Sequence, residues 1–268
     1  MDRYVVIGNP VAHSRSPEIH ARFARQTGEA LQYERLEAPR DGFGAAAHAF
    51  FLGGGRGANV TLPFKADAFA FASQLTPRAR LAGAVNTLAA RDDGILGDNT
   101  DGAGLVADLK GNLGLALAGA RVLLVGAGGA AHGVVAPLLV ERPARLVIAN
   151  RTSARARELA ARFSALGPVE GTGLESVRGP FDLVVNATSS STHGESLALP
   201  DGVLAPGVVA YDMAYGPSAE PFLARARAAG AAANDGLGML VEQAAESFLL
   251  WRGKRPATAP VIAALRAS

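Results

Sequence analysis

The sequence predicts an α/β protein of two domains, and three observations support this fold class. Continuous apolar runs such as 121–125 and 182–185 have the composition of strands that are buried on both faces of a sheet. Helical segments alternate with these runs, which is the order of βαβ units with parallel strands. The length of 268 residues is sufficient for two medium-sized hydrophobic cores.

The first half of the chain is predicted to form a mainly parallel α/β domain. Its strands are expected at 4–7, 31–36, 57–61 and 88–91, with a return strand that begins at 95. Its helices are expected from 17 to near 28 and at 45–52, 66–73 and 103–110. On local signals alone, Ser16 is interpreted as the N-cap of the first helix, with Pro17 at the first helical position.

The second half is predicted to be a succession of βαβ units after a linker at 111–119. Its strands are expected at 121–125, 145–149, 182–185 and 208–211. Its helices are expected at 133–140, 154–163 and 219–229. Proline has no N–H and clashes with the preceding turn, so Pro137 is expected to kink the first of these helices or end it early. A strongly apolar helix at 238–251 follows the last unit.

The composition excludes several functional classes. Lys and Arg number 26 against 24 Asp and Glu, which is too balanced for a dedicated nucleic-acid binder. The absence of cysteine excludes disulfides and Cys-based zinc sites, and the five histidines form no H-x-x-x-H pair, so no metal is expected. No apolar run approaches the ~18 residues of a membrane span and no signal peptide is evident. We therefore expect a cytoplasmic protein with no membrane partner.

Polar side chains follow the predicted strands of the first half. Ser14 lies beyond the end of the first strand, where open α/β sheets bind ligands. Asn59 and Thr61 are two residues apart and share one face of a strand. Lys65 then starts a helix, where a cation opposes the helix dipole. A solvated surface lysine is one interpretation of Lys65, and a functional lysine is its competitor.

Four consecutive polar residues, Asp98, Asn99, Thr100 and Asp101, precede the next helix. Asp98 or Thr100 is a candidate N-cap, but capping explains only one or two of the four. A bound polar ligand is therefore expected here. Farther along, Gln243 lies on the apolar stripe of the C-terminal helix, where an unbonded amide costs roughly 1–3 kcal/mol. It is expected either to bond neighbouring backbone or to contact a hydroxyl-bearing substrate, with no preference between the two.

A glycine-rich loop joins strand 121–125 to the following helix. Its residues, Gly126, Ala127, Gly128, Gly129, Ala130 and Ala131, fit the dinucleotide fingerprint G-x-G-x-x-A. The first glycine allows the tight turn, the second lets a pyrophosphate approach the backbone, and the final alanine lets the helix pack closely. A lone match is weak in a chain with 32 glycines, but the flanking strand and helix favour a Rossmann nucleotide site at the positive end of the helix.

The end of strand 145–149 indicates which dinucleotide binds. A site for NAD usually has an acidic residue here, about 20 residues after the glycines, which bonds the ribose 2′-hydroxyl. This chain has instead Asn150, Arg151 and Thr152, with Arg155 one turn later. Guanidinium groups form forked hydrogen bonds with a dianionic 2′-phosphate, so NADP is predicted. The alternative is that both arginines are merely exposed residues at a helix start.

Together these stretches resemble the shikimate dehydrogenase family over nearly the whole chain. The resemblance rests on the motifs at 8–17, 57–65, 84–87, 97–102, 126–129, 150–152, 186–189 and 235–239. It implies reversible reduction of 3-dehydroshikimate to shikimate by NADPH, in aromatic amino-acid biosynthesis. It also implies C-terminal helices that return to the first domain. The expected division is a substrate domain of 1–101 plus 238–268 and an NADP-binding domain of 102–237.

The resemblance also implies roles for individual residues. The substrate carboxylate would be held by Ser14, Ser16 and Thr61, with help from Tyr215. The ring hydroxyls would be held by Asn86, Asp101 and Gln243, with Asn59 beside them. Lys65 would be the acid/base, paired with Asp101. NADP would be contacted by the glycine loop, by Asn150 to Arg155, and by Thr188, Met213 and Gly236.

Three alternatives remain at this stage. A quinate/shikimate dehydrogenase would have broader substrate or NAD use, against which the two arginines argue. A methylene-tetrahydrofolate dehydrogenase shares the architecture but has no need of the paired serines. A non-catalytic NADP-sensing module would be expected to lack Lys65 or Asp101, and both are present. The chain is expected to be a monomer or a homodimer.

Overall fold

The computed structural model describes residues 1–188 and 199–267. Ser189, the last residue of the 186–189 motif, lies outside the described residues. The chain forms two compact units. Unit 1 comprises Met1–Gly104 and Val241–Ser268, and unit 2 comprises Leu105–Leu240.

Unit 1 contains a six-stranded sheet and the helices that cover it. The strands are β1 (Asp2–Gly8), β2 (Leu31–Glu37), β3 (Gly55–Val60), β4 (Gln74–Leu75), β5 (Thr87–Arg91) and β6 (Gly94–Asp98). The helices are α1 (Ser16–Thr27), α2 (Phe43–Leu52), α3 (Lys65–Phe71), α4 (Pro77–Ala82) and α5 (Asp101–Ala107), of which α5 continues into unit 2 from Leu105. The strand order is β2-β1-β3-β5-β6-β4. Three of the pairings are parallel (β1 with β2, β1 with β3, β4 with β6) and two are antiparallel, so the sheet is mainly parallel.

Unit 2 contains a second six-stranded sheet. Its strands are β7 (Arg121–Val125), β8 (Arg145–Asn150), β9 (Val169–Gly173), β10 (Leu183–Asn186), β11 (Val209–Asp212) and β12 (Ala232–Asn234). Its helices are α6 (Gly129–Val140), α7 (Ser153–Phe163) and α8 (Glu220–Ala228). Two further helices, α9 (Leu237–Arg252) and α10 (Ala259–Arg266), end the chain. The residues of α9 from Val241 onward, and all of α10, belong to unit 1.

The second sheet has the strand order of a Rossmann fold. The order is β12-β11-β10-β7-β8-β9, and all five pairings within the described residues are parallel. Numbered from β7, this is 3-2-1-4-5-6, the doubly wound order whose chain reversal lies between the first and fourth strands. The predicted α/β class with a Rossmann unit is confirmed. A ligand of such a sheet binds where β7 and β10 end.

Several local predictions were wrong. Ser16 is not a cap, because Arg15 occupies the N-cap position of α1 and no side chain caps that helix. Pro137 does not end α6, which continues to Val140. Of the two cap candidates for α5, Thr100 directly precedes the helix and its carbonyl accepts from the Gly104 N–H, but its hydroxyl bonds Asn86 and Gln243 rather than the helix. The Asn99 side chain accepts from the N–H of Asp101. The short elements β4, β9, β12, α4 and α10 were not predicted, since each is too short or too weakly patterned to have a clear periodicity.

His20 is a fully buried titratable group at the centre of an aromatic cluster in unit 1. Its ring stacks on Tyr33 with a centroid distance of 4.2 Å and also meets Phe23, Phe248 and Trp251. Neither ring nitrogen has a hydrogen-bond partner of good geometry among the described residues. Burial lowers the pKa of His20 to about 3, with partial compensation from the nearby Asn59 side chain. The histidine is therefore neutral wherever the protein is folded near neutral pH.

This burial predicts a specific loss of stability in acid. In the unfolded chain, the His20 imidazole becomes protonated below its ordinary pKa of 6.5. In the folded chain, the same imidazole stays neutral down to about pH 3. The free energy of unfolding therefore falls as the pH falls through this window. Between about pH 7 and about pH 5 the loss from this residue is about 2 kcal/mol. We expect the drop in unfolding free energy between these two pH values to be smaller in His20→Leu than in the parent protein by about that amount. Urea unfolding at both pH values measures it. Parallel pH dependence of the two proteins would contradict the prediction.

Candidate active site

The segment between β1 and α1 brings the two predicted serines together. The Ser14 hydroxyl donates to the Ser16 hydroxyl at 3.2 Å, and the Ser16 N–H lies 3.3 Å from the Ser14 oxygen. The Arg35 guanidinium donates to the Ser14 carbonyl at 2.6 and 3.1 Å. The Thr61 methyl group lies close to Gly8, where an added Cβ would be only 2.5 Å away. This end of the sheet therefore gathers three hydroxyl groups, of which that of Ser16 belongs to a buried residue.

Lys65 and Asp101 form an ion pair in unit 1. The Lys65 Nζ lies 2.5 Å from Asp101 Oδ2, and the side chains are 20% and 7% exposed. Each residue begins a helix, α3 and α5 respectively, and the Lys65 carbonyl accepts from the N–H of Val85 at 3.0 Å. The backbone thus holds both residues beside the segment that carries Asn86. A partly exposed ammonium against a nearly buried carboxylate can hold or release a proton next to a bound hydroxyl.

The Asn86 side chain connects Asp101 to Thr100 and Gln243. Its Nδ2 lies 2.9 Å from Asp101 Oδ1, 2.9 Å from Thr100 Oγ1 and 3.2 Å from Gln243 Oε1. Its Oδ1 accepts from the Thr100 N–H at 2.8 Å. Gln243 approaches closely because Gly104 has no side chain: a Cβ there would lie 2.6 Å from the Gln243 Cβ. Three predicted site residues are therefore joined directly.

Asn59 lies at the other side of the same hydrogen-bond network. Its Oδ1 accepts from the Tyr33 hydroxyl at 2.7 Å, and its Nδ2 donates to Ser247 Oγ at 2.9 Å and to Thr87 Oγ1 at 3.2 Å. Sequence reasoning missed these three partners. Ser247 had a usable signal, because it lies one helical turn after Gln243 on an apolar helix. Tyr33 had none, since it lies in an alternating strand that is otherwise half exposed.

Asp98 anchors the polar segment that leads to Asp101. Its Oδ1 accepts from Arg78 Nε at 2.7 Å, from Thr76 Oγ1 at 2.6 Å and from the Asn99 N–H at 2.8 Å, and its Oδ2 accepts from Arg78 at 2.5 Å. Burial alone would raise the pKa of Asp98, but the Arg78 guanidinium and the other donors outweigh it and lower the pKa. The carboxylate is therefore charged, paired and only 2% exposed.

In unit 2 the glycine loop has the shape that the fingerprint predicts. Gly126 has a φ of +113°, which favours glycine, and an added Cβ would lie 3.0 Å from the Ala187 carbonyl oxygen. Nothing lies within 4 Å of a Cβ added at Gly128 or Gly129. No side chain caps α6, so its first N–H groups face a space that can accept phosphate. Ala131 is fully buried in the core, as close helix packing requires.

The predicted 2′-phosphate residues follow β8. Asn150 donates from Nδ2 to the Thr152 carbonyl at 3.1 Å. Arg151 and Arg155 are exposed, and neither forms an ion pair with any of the described residues. Arg155 lies in the first turn of α7, and Arg151 lies just before its N-cap residue Thr152. Two guanidiniums so close to the positive end of a helix are unfavourable unless an anion lies nearby. The segment therefore has the charge that a phosphate group needs.

The remaining predicted residues of unit 2 follow β10 and β11. Thr188 donates to Asn186 Oδ1 at 2.8 Å, and the Asn186 amide in turn donates to Asp212 at 2.8 Å. Gly236 approaches Met213 so closely that an added Cβ would be 2.4 Å from the Met213 carbonyl oxygen. Tyr215 also lies in unit 2, three residues after β11, whereas the other predicted substrate residues lie in unit 1.

Neither a metal centre nor a membrane span is found in the described parts of the chain. Residues 1–188 and 199–267 contain no group of three or more His, Asp or Glu side chains arranged to bind a metal ion. Within the same residues, no helix has both the length and the apolar character that crossing a membrane requires.

Comparison with known proteins identifies the family. Residues 6–88 match the shikimate dehydrogenase substrate binding domain, residues 108–194 match shikimate / quinate 5-dehydrogenase, and residues 236–266 match the shikimate 5′-dehydrogenase C-terminal domain. The shikimate dehydrogenase (NADP(+)) of Alkalilimnicola ehrlichii is 57% identical over 99% of this chain and 98% of that protein. The chain belongs to the shikimate dehydrogenase family.

Solved structures of related proteins support the same assignment. The crystal structure of an Ael1 enzyme from Pseudomonas putida has a TM-score of 0.92 and 45% identity, covering 99% of this chain and 98% of that one. The structure of shikimate 5-dehydrogenase from Thermus thermophilus, in complex with NADP(H) and shikimate, has a TM-score of 0.86 and 34% identity, covering 100% of this chain and 99% of that one. The predicted family and two-part α/β fold are thus confirmed.

The pairing of Arg78 with Asp98 yields a testable prediction about stability. Arg78→Met removes the guanidinium but keeps much of the side-chain length. It leaves the nearly buried Asp98 carboxylate without its cation and also removes the contact of Arg78 with Glu246, a carboxylate that still pairs with Arg255. We expect the free energy of unfolding to fall by about 2 kcal/mol, less than for a fully buried pair because Arg78 is itself 36% exposed. Denaturant titration measures the change.

The matched control is Arg80→Met on the same helix. Within the described part of the chain, the Arg80 guanidinium bonds the Leu75 carbonyl alone, at 3.3 Å, and the residue is exposed. We expect its free energy of unfolding to differ from that of the parent by no more than about 0.5 kcal/mol. Equal effects of the two substitutions would show that the Asp98 pair has no special contribution.

Proposed function

We propose that this protein interconverts shikimate and 3-dehydroshikimate, with NADP as the hydride acceptor or donor. The Lys65–Asp101 ion pair carries the proposal. An ammonium 2.5 Å from a carboxylate, next to the buried amide of Asn86, is a proton-handling group placed among hydrogen-bonding side chains. A protein that only sensed NADP would have no use for that pair. Membership of the shikimate dehydrogenase family supports the same reaction.

Unit 1 is proposed to bind the substrate through two groups of side chains. Ser14, Ser16 and Thr61 offer hydroxyl donors at one end of the sheet, and these would hold the carboxylate with the help of Tyr215. Asn86, Asp101 and Gln243 offer amide and carboxylate groups that already bond one another, and these would hold the ring hydroxyls, with Asn59 beside them. We accordingly propose 1–101 plus 238–268 as the substrate domain.

The proton chemistry is assigned to Lys65 and Asp101 as one unit. During oxidation of shikimate, the hydroxyl at the reacting carbon gives up its proton, and the Lys65–Asp101 pair receives it. During reduction of the ketone, the pair returns that proton to the new alkoxide oxygen. The short contact between Nζ and Oδ2 lets the two groups share the change in charge. NADP, when bound, supplies or accepts the hydride.

Unit 2 is proposed to bind NADP, within the domain 102–237. The open space at Gly128 and Gly129 fits a pyrophosphate against the first turn of α6. The guanidiniums of Arg151 and Arg155 have no ion-pair partner within residues 1–188 and 199–267, and with Asn150 and Thr152 they fit a 2′-phosphate. The proposed contacts are completed by the other residues of the glycine loop and by Thr188, Met213 and Gly236. The protein is further proposed to be cytoplasmic, and to act as a monomer or a homodimer.

One assay tests the activity, and two substitutions test the acid/base assignment. Purified protein with shikimate and NADP⁺ should produce NADPH absorbance, and quinate in a parallel assay measures substrate breadth. We expect Lys65→Ala and Asp101→Ala each to lower turnover by roughly 10²-fold or more, because the proton transfer loses its partner. Lys110→Ala is the control, because Lys110 also pairs with a carboxylate, Glu141 at 2.7 Å, but at an exposed position of unit 2.

These results can contradict the proposal in two separate ways. Absence of shikimate-dependent NADPH formation by the parent protein would reject the activity. Near-normal turnover in both the Lys65 and Asp101 variants would reject the acid/base pair while leaving the activity standing.

The cofactor assignment predicts a change in NADP affinity alone. Replacing Arg151 and Arg155 together by alanine removes the two cations proposed to bind the 2′-phosphate. We expect KM for NADP⁺ to rise by roughly 10- to 100-fold, since a hydrogen bond to a charged group contributes about 1.5–3 kcal/mol. KM for NAD⁺, which lacks that phosphate, should change little. Arg157→Ala, an exposed arginine on the same helix, is the control. Equal losses for both cofactors would contradict a 2′-phosphate site.

A further inference from the structure

Tyr33 is a partly buried tyrosine to which the proposed function assigns no role. It lies on β2, the edge strand of the first sheet. The ring is stacked on His20 at 4.2 Å, with an interplanar angle of 5°, and it also faces Trp251 at 6.3 Å. These contacts fix the direction of the phenol oxygen. That oxygen donates to Asn59 Oδ1 at 2.7 Å.

The hydrogen bond from Tyr33 fixes which way the Asn59 amide points. Burial raises the pKa of Tyr33 well above its usual value, with Ser16 opposing the shift, so the phenol keeps its proton. A phenol that donates must face the amide oxygen, and the NH₂ group therefore faces Ser247 and Thr87. The Asn59 Nδ2 also lies 3.4 Å from the Asn86 carbonyl, which can only accept, so the reversed amide would turn its oxygen toward another acceptor.

The orientation is passed on from Asn59 to Asn86. Thr87 Oγ1 accepts from Asn59, so its single hydrogen is available to Asn86 Oδ1, which lies 3.0 Å away. With its oxygen facing Thr87 and the Thr100 N–H, Asn86 directs its NH₂ group to Asp101 Oδ1 at 2.9 Å. A directed series of hydrogen bonds thus runs from Tyr33 to the carboxylate that pairs with Lys65.

We propose that Tyr33 is a positioning residue that orients the amides of Asn59 and Asn86 for substrate binding. The inference rests on the proposed function, because the groups it orients are those assigned to shikimate. The Tyr33 hydroxyl enters this network through Asn59, which lies among the proposed hydroxyl-binding groups. It does not contact Lys65, and Lys65 reaches Asp101 through the other carboxylate oxygen.

The test is Tyr33→Phe, which removes only the hydroxyl and keeps the stacked ring. KM for shikimate is expected to rise about fivefold or more, while kcat falls less than about threefold and KM for NADP⁺ does not change. Tyr4→Phe is a matched control. Tyr4 is the in-register partner of Tyr33 on β1, is buried, and its oxygen accepts from Arg252 at 3.3 Å, outside the network described here. Its kinetic constants should equal those of the parent.

A second measurement does not depend on turnover. In NMR spectra the side-chain NH₂ signals of Asn59 can be assigned by their disappearance in Asn59→Asp. Tyr33→Phe should shift these signals and Tyr4→Phe should not. Unmoved Asn59 signals, or an unchanged KM for shikimate despite moved signals, would overturn the proposal. A parent protein that is inactive with shikimate would reject the proposed function, and the NMR result would still decide whether Tyr33 orients Asn59.

Discussion

The arrangement of unit 1 depends on the hydrogen bonds of the Asn86 side-chain amide. It is 3% exposed, and an amide buried at that level must find partners for its oxygen and its two hydrogens. Those partners come from the segment before α5 and from α9, which is distant in sequence. The backbone of Asn86 adds to this, because its N–H donates to the Asp98 carbonyl at 3.0 Å and its carbonyl accepts from Val60 at 2.8 Å.

The same requirement explains why polar residues are concentrated at one place in an otherwise apolar core. Asn59, Thr87, Thr100 and Ser247 are all buried, and each bonds to another member of the group. A half-satisfied network would be more costly than an apolar core, so the members stabilise the fold only as a set. The cost is acceptable in a protein that must present donors and acceptors at fixed positions. Ser247 brings α9 into this set, and Trp251 fixes the same helix by donating to the Leu88 carbonyl at 3.0 Å.

Local signals in the sequence were sufficient for the fold class and for most long elements. The strand β7, the glycine loop and the helix α7 each carry a pattern that is complete within about a dozen residues. Residues whose role depends on distant partners had no such pattern: Tyr33 meets Asn59 across the sheet, and Arg78 meets Glu246 from α9. Ser16 illustrates the converse error, since serine before proline is a local capping signal that the tertiary structure does not use.

The two units differ in how their polar groups are satisfied, and this difference bears on specificity. In unit 2, the glycine loop and the exposed Arg151 and Arg155 present donors with no acidic partner among the described residues. Such groups gain hydrogen bonds and a counter-charge when a phosphate binds, so they increase the affinity for a phosphate-bearing ligand. In unit 1, the donors and acceptors around Asn86 already bond one another. A ligand must therefore offer matching hydrogen-bonding groups, or existing hydrogen bonds are lost when it binds. A site of this kind rejects an analogue that lacks one hydroxyl more strongly than an apolar pocket rejects a missing methylene. We therefore expect the buried network of unit 1 to govern the choice among polyhydroxylated carboxylic acids, and the exposed arginines of unit 2 to govern the choice between NADP and NAD.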